Sequence, residues 1–155
     1  MPAITEPARA LFFYGTLQPG AGTAMAQWVA QRLLRAEPAS VPGRLLAIRD
    51  GRRWYPALVP GQARVRGTLC MLALKPGDWA RLDRYEGREY RRVSRPARTG
   101  DGRRISARLY LWHRALPPGA MEITDGDFLA WLGRTRSTAF GIADGILTPR
   151  RQEGV

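Results

Sequence analysis

Ala10-Leu11-Phe12-Phe13-Tyr14 is an apolar run that stops abruptly at Gly15. A run this short and uninterrupted suits a strand buried on both faces, because successive side chains point to opposite sides of a sheet. A chain carrying it needs strands beside it and apolar cover above and below. The 155 residues, 45% of them hydrophobic, are enough for one domain with a real core. Gly15 then turns the chain. Backbone N–H groups of a tight turn at the lip of a sheet can hold an anion or a developing oxyanion.

The rest of the pattern supplies the neighbours. Met25, Trp28, Val29 and Leu33 recur at helical spacing, which predicts a helix over residues 23–35, stopped by Glu37-Pro38. Strands are predicted over 43–49, 54–59 and 65–74, with Asp50-Gly51 as a hairpin turn and Pro56 marking an edge or a bulge. Pro76-Gly77-Asp78 opens a second helix with Asp78 as its N-cap, Trp79 and Leu82 as its apolar stripe and Gly87 as its end. Strands over 90–96 and 104–113 pair around Gly100-Asp101-Gly102. In the later one Ile105, Ala107, Leu109 and Leu111 share one face, and Ser106, Arg108, Tyr110 and Trp112 the other. Asp125 or Thr124 caps a third helix carrying Phe128, Leu129 and Leu132, which Gly133 closes. Strands mostly follow strands. The expected fold is therefore α+β, a small mixed, mostly antiparallel β-barrel with about three flanking helices, and not a doubly wound sheet. It forms a single domain over 10–149, with loose termini at 1–9 and 150–155.

Composition narrows the function classes. No apolar run approaches the ~20 residues that cross a bilayer, and the first residues lack the basic start and apolar middle of a signal peptide. Cys70 is the only cysteine, so no internal disulfide forms. These features predict a soluble cytoplasmic protein without membrane contact. The net charge of +12 is carried by arginine, with Lys75 the sole lysine. The arginines come as scattered pairs such as Arg52-Arg53, Arg91-Arg92 and Arg103-Arg104. That distribution reads first as a solvated surface, with nucleic-acid or acidic-partner contact as the lesser alternatives.

Among groups that carry chemistry, Glu86 stands out. It lies on the face of the second helix that holds Trp79 and Leu82, where partial desolvation would make its carboxylate a better proton acceptor. The bland alternative is an exposed glutamate at a frayed helix end. Glu89 falls beyond Gly87 and off the stripe. His113 has no partner of its own type for a metal site, and Cys70 sits in the apolar run Leu69-Cys70-Met71-Leu72 as a packed thiol. Gly20-Ala21-Gly22-Thr23 lacks the lysine of a phosphate loop. The Asp125–Asp127 pair reads as helix capping. No metal and no cofactor is expected.

Read in order, several segments resemble the gamma-glutamylcyclotransferase-like (AIG2-like) family. They are Tyr14-Gly15-Thr16-Leu17 followed by Gly20, Tyr55-Pro56-Ala57-Leu58, Val65-Arg66-Gly67-Thr68-Leu69, Leu82-Asp83-Arg84-Tyr85-Glu86-Gly87 with Tyr90-Arg91-Arg92, and Ala107-Arg108-Leu109-Tyr110. The resemblance implies a small mixed barrel and a cofactor-free reaction. In it the α-amine of a γ-glutamyl compound attacks its own γ-carbonyl and releases 5-oxoproline and an amine or amino acid. It implies Glu86 as the acid/base, and Tyr14, Gly15, Thr16 and Leu17 as the substrate-binding loop, with Tyr110 pointing toward the same site. The other expectations left open are a non-catalytic small-molecule binder on this scaffold and an arginine-driven nucleic-acid binder.

Overall fold

The computed structural model describes residues 9–19 and 21–135, together with the short strand segments 138–139, 142–143 and 146–147. The first strand, β1 (Arg9–Phe13), is the apolar run, and it lies between two others. It pairs antiparallel with β3 (Arg53–Leu72), Phe12 facing Leu69, and parallel with β5 (Arg104–Trp112) at Leu11 and Arg108. β3 pairs with β2 (Leu33–Asp50), β2 with β4 (Tyr90–Thr99), and β4 with β5. The order β2-β4-β5-β1-β3 returns to β2, so these strands close a barrel and all its pairings except β1–β5 are antiparallel. Closure leaves these strands few open edges.

β2 and β3 are longer than the sequence pattern predicts. Residues 43–49, 54–59 and 65–74 were expected as separate strands, yet they join into one hairpin of 18 and 20 residues that turns at Gly51 (φ +67°). Pro42, Gly43, Pro60 and Gly61 read locally as breaks. In the structure a register shift between Pro42 and Arg44 absorbs them, and the hairpin continues past it.

The first helix, α1 (Ala24–Ala30), is correspondingly shorter than the predicted 23–35. Thr23 caps it, its hydroxyl accepting the Ala26 N–H at 3.0 Å. The chain then turns and Leu33 enters β2 opposite Leu72, while the Arg32 carbonyl accepts the Ala73 N–H. Sheet pairing there overrides the helical periodicity of Leu33. α2 (Asp78–Glu86) ends at Gly87 (φ +88°) as expected, but its cap position is Gly77 rather than Asp78. Asp78 is the first helical residue, and its carboxylate accepts both the Lys75 N–H and the Arg32 guanidinium at 2.8 Å. Beyond β6 (Met121–Glu122), α3 (Phe128–Thr135) is capped by Asp127, which accepts the Ala130 N–H at 3.0 Å, and it runs through Gly133. Asp125 instead accepts the Asp127 N–H and pairs with Arg134. β7 (Thr138–Ala139) lies parallel to Arg53–Trp54 of β3, and β8 (Ile142–Ala143) pairs with β9 (Ile146–Leu147). Arg9 begins β1. The rest of the expected loose ends, 1–8 and 150–155, lies outside the described residues.

Alternation along the strands divides the core in two. Leu11 and Phe13 of β1, with Tyr110 and Trp112 of β5, pack against Met25 and Val29 of α1 and Leu82 and Tyr85 of α2. Phe12 with Ala107 and Leu109 packs on the other face, with Phe128 and Trp131 of α3. The two faces expected for β5 are therefore present, and both are apolar at its far end. Among the described residues no helix is long and apolar enough to cross a membrane.

Candidate functional site

Among the described residues, Pro56 of β3 pairs with Ala47 of β2, while β1 pairs with β3 from Thr68 to Leu72 and β7 at Arg53 and Trp54. Pro56 has no N–H to leave unpaired, and its carbonyl accepts the Tyr90 hydroxyl. The loop that follows β1 lies against Pro56.

Gly15 is required in that loop by space. A Cβ there would lie 2.6 Å from Pro56 Cγ, whereas no positive φ is found at this glycine. The loop is pinned on several sides. The Gln18 N–H donates to the Gly15 carbonyl at 3.2 Å, as does the Gln18 side-chain amide at 3.3 Å. Thr68 donates to the Gln18 amide oxygen at 3.0 Å, and Thr23 donates to the Thr16 carbonyl at 2.7 Å. The Tyr14 hydroxyl donates to the Tyr110 carbonyl, and the hydroxyls of Thr16 and Tyr85 lie 3.3 Å apart. The N–H groups of Gly15, Thr16 and Leu17 donate to no other described residue. Their neighbours are thus held while these donors stay available, which is the arrangement a preorganised anion site needs.

α2 closes the pocket from the opposite side. Leu82 and Tyr85 anchor the helix in the core, and Glu86, half-buried at its last turn, lines the same pocket as the loop. One pocket is lined by Tyr14, Gly15, Thr16 and Leu17 together with Glu86 and Tyr110. The structure brings all six predicted site residues to one place. Glu89 is outside its lining. In this structure the pocket is narrow, about 30 Å³.

Three further tyrosines line the pocket, Tyr55, Tyr85 and Tyr90, which the sequence reading gave no role. Tyr85 could have been found from its place one position before Glu86 on an apolar helix face. Asp83 was also passed over. The Tyr110 hydroxyl donates to Asp83 Oδ1 at 2.6 Å, and Arg92 grips both oxygens of that carboxylate at 3.0 and 3.1 Å while lying over the Trp79 ring. Burial, then the hydrogen bond to Asp83 and the nearby Glu86 charge, push the Tyr110 phenol well above its ordinary pKa. Tyr110 is therefore a hydrogen-bond donor here and not a base.

The competing candidates fall away on geometry. Burial pushes the Cys70 thiol up to about 12, so it is no nucleophile at neutral pH. His113 is exposed, and its Nε2 meets the Arg88 carbonyl at 2.8 Å. Thr23, at the end of the glycine-containing loop, is committed to capping α1.

Comparison with known proteins agrees with this architecture. A solution structure from Arabidopsis thaliana superposes with a TM-score of 0.60 at 22% identity, covering 87% of this chain and 86% of that one. An AIG2-like protein of Mus musculus gives 0.55 at 18% identity, over 72% of this chain and 81% of that one. A structure titled gamma-glutamyl cyclotransferase gives 0.55 at 14% identity, over 95% and 96%. These likenesses show the fold. No match is found among curated proteins. The profile of one family, described as gamma-glutamyl cyclotransferase, AIG2-like, matches residues 11–130, from within β1 into α3. The chain belongs to the gamma-glutamyl cyclotransferase, AIG2-like family.

Proposed function

We propose that this protein is a cofactor-free gamma-glutamyl cyclotransferase. The observation that carries the reading is that Glu86 lines one pocket with residues 15–17, whose N–H groups have no acceptor among the described residues. The α-amine of a γ-glutamyl compound attacks its own γ-carbonyl carbon. A C–N bond closes the five-membered ring and the bond from that carbon to the leaving nitrogen breaks. The products are 5-oxoproline and a free amine or amino acid. Ring closure within one molecule makes the effective concentration high, so the protein's task is orientation and proton movement. An α-ammonium cannot attack. Glu86 accepts its proton and later returns one to the leaving nitrogen, and the second proton shed as the α-amine becomes the lactam N–H goes to solvent. The loop amides hold the α-carboxylate or the carbonyl oxygen as charge develops on it. Tyr110, kept protonated, supports the pocket wall and holds Asp83. A cytoplasmic location belongs to the same proposal, since γ-glutamyl amines and amino acids are small soluble molecules.

The test is release of 5-oxoproline from a panel of γ-glutamyl amines and γ-glutamyl amino acids. Turnover of one class identifies the leaving group. The alternative is a scaffold that binds a small acid without converting it. That reading predicts thermal stabilisation by a γ-glutamyl compound with no 5-oxoproline formed from any member of the panel.

A further inference from the structure

The strand register places a row of cations on the outside of the barrel, apart from the pocket. Arg66 of β3 is directly opposite Ser40 of β2, Ser40 is opposite Arg98 of β4, and Arg98 is opposite Arg104 of β5. Directly paired residues project from the same face of a sheet, so these side chains stand side by side. With strands ~4.8 Å apart the row spans about 14 Å. Arg64 joins it from two positions along β3. Its guanidinium is held by the Ser40 hydroxyl at 2.9 and 3.1 Å and by the Ser40 carbonyl at 2.8 Å. Arg64, Arg66 and Arg98 line a groove of about 530 Å³, and Arg64, Arg98 and Arg104 line a second one that adjoins it.

Like charges placed opposite one another across strands repel. Elsewhere the protein answers its arginines with carboxylates, as in Arg32–Asp78, Arg44–Glu122, Arg92–Asp83 and Arg103–Glu37. Among the described residues Arg64, Arg66, Arg98 and Arg104 make no ion pair. Desolvation, then the neighbouring charges of Arg98 and Arg104, lower the Arg64 pKa, as expected for a cation among cations. Asp127 reaches the groove, but its carboxylate is engaged in capping α3.

We propose that this groove is a binding site for a small oligophosphate, a chain of a few linked phosphate groups laid across the strands. Guanidinium forks match phosphate oxygens in pairs, and a row of them matches a multivalent anion better than a single charge. The other lining residues include Pro38, Ala39, Gly67 and Gly100 but no aromatic ring on which a base could stack. Asp125 lies near Arg66, and Asp101 and Glu37 pair with Arg103 at the β4–β5 turn. The row of about 14 Å matches the length of a few linked phosphate groups, whereas an extended nucleic-acid backbone would reach beyond it.

The experiment is calorimetric titration of the whole protein with inorganic tripolyphosphate at low ionic strength. Arg64→Gln/Arg98→Gln should weaken binding by about tenfold or more, and so should Arg98→Gln/Arg104→Gln, which leaves the Arg64–Ser40 contacts in place. Arg88→Gln/Arg114→Gln removes the same amount of exposed charge elsewhere and should stay within about twofold of the parent. Three results overturn the proposal. One is no binding by the parent protein. Another is equal weakening in all three variants, which would trace binding to net charge alone. The third is tighter, Arg98-dependent binding of a single-stranded oligonucleotide, which would assign the face to nucleic acid.

Discussion

Tyr110 donates its hydroxyl hydrogen to Asp83 Oδ1 at 2.6 Å, joining the barrel wall to the second helix three residues before Glu86. That bond and the burial around it keep the phenol protonated. An unfolded tyrosine ionises near pH 10, while the folded one holds its proton to higher pH. The folded state therefore binds more protons above pH 10, and stability falls as pH rises through that range. Tyr110→Phe should cost about 0.5–1.5 kcal/mol near neutrality and should reduce the alkaline fall. Denaturant unfolding at several pH values between neutral and strongly alkaline reads both. An alkaline slope identical to that of the parent protein would contradict this account of Tyr110.

Asp78 gives the opposite dependence. Burial alone would raise its pKa, but the Arg32 guanidinium and the Lys75 N–H outweigh that and hold the carboxyl below its ordinary value. Its contribution is present above the unfolded carboxyl pKa and is lost as pH falls through the lower folded value. Asp78→Asn should destabilise the protein by about 1–3 kcal/mol at neutral pH, and the difference from the parent should shrink toward acid pH. Thermal melts over the acid range provide the comparison, and a difference that stays constant with pH would remove the ion pair as its cause.

Gly15 tests why the loop takes its path. The Cβ of Gly15→Ala would meet Pro56 Cγ at 2.6 Å, so loop or strand must shift, at a cost of about 1–3 kcal/mol. Gly15→Ala/Pro56→Ala should recover much of that loss, because the ring carbon that causes the clash is gone. A double variant no more stable than Gly15→Ala would show that something other than this contact fixes the glycine.

Cys70 should be inert. Its thiol is fully buried, and burial pushes its pKa to about 12. Iodoacetamide at pH 8 should leave the native protein unlabelled and should label it after unfolding, as mass spectrometry can show. Fast labelling of native protein would reopen a thiol mechanism.

Much of the fold was legible because local physics and tertiary pairing agree. The run ending at Tyr14 suits a buried strand and forms one through Phe13, Asp50-Gly51 turns a hairpin, and Gly87 ends a helix. The misreadings occur where they disagree. Leu33 has helical spacing from Val29 but a strand partner in Leu72 that no local pattern displays. Pro42 and Gly43 look like a stop, yet the long hairpin passes them at a register shift. In the site, Glu86 was visible from its helix face and the loop from its glycine. Asp83 was not, because its importance lies in Tyr110 and Arg92, which arrive from other strands.

Parent protein and Glu86→Gln, compared for 5-oxoproline release from the γ-glutamyl substrate turned over best, address the central claim most directly. The half-buried amide should preserve the melting temperature, and release should fall by about 100-fold or more, the range removed with a general base. Undiminished release by a folded Glu86→Gln protein would contradict the account.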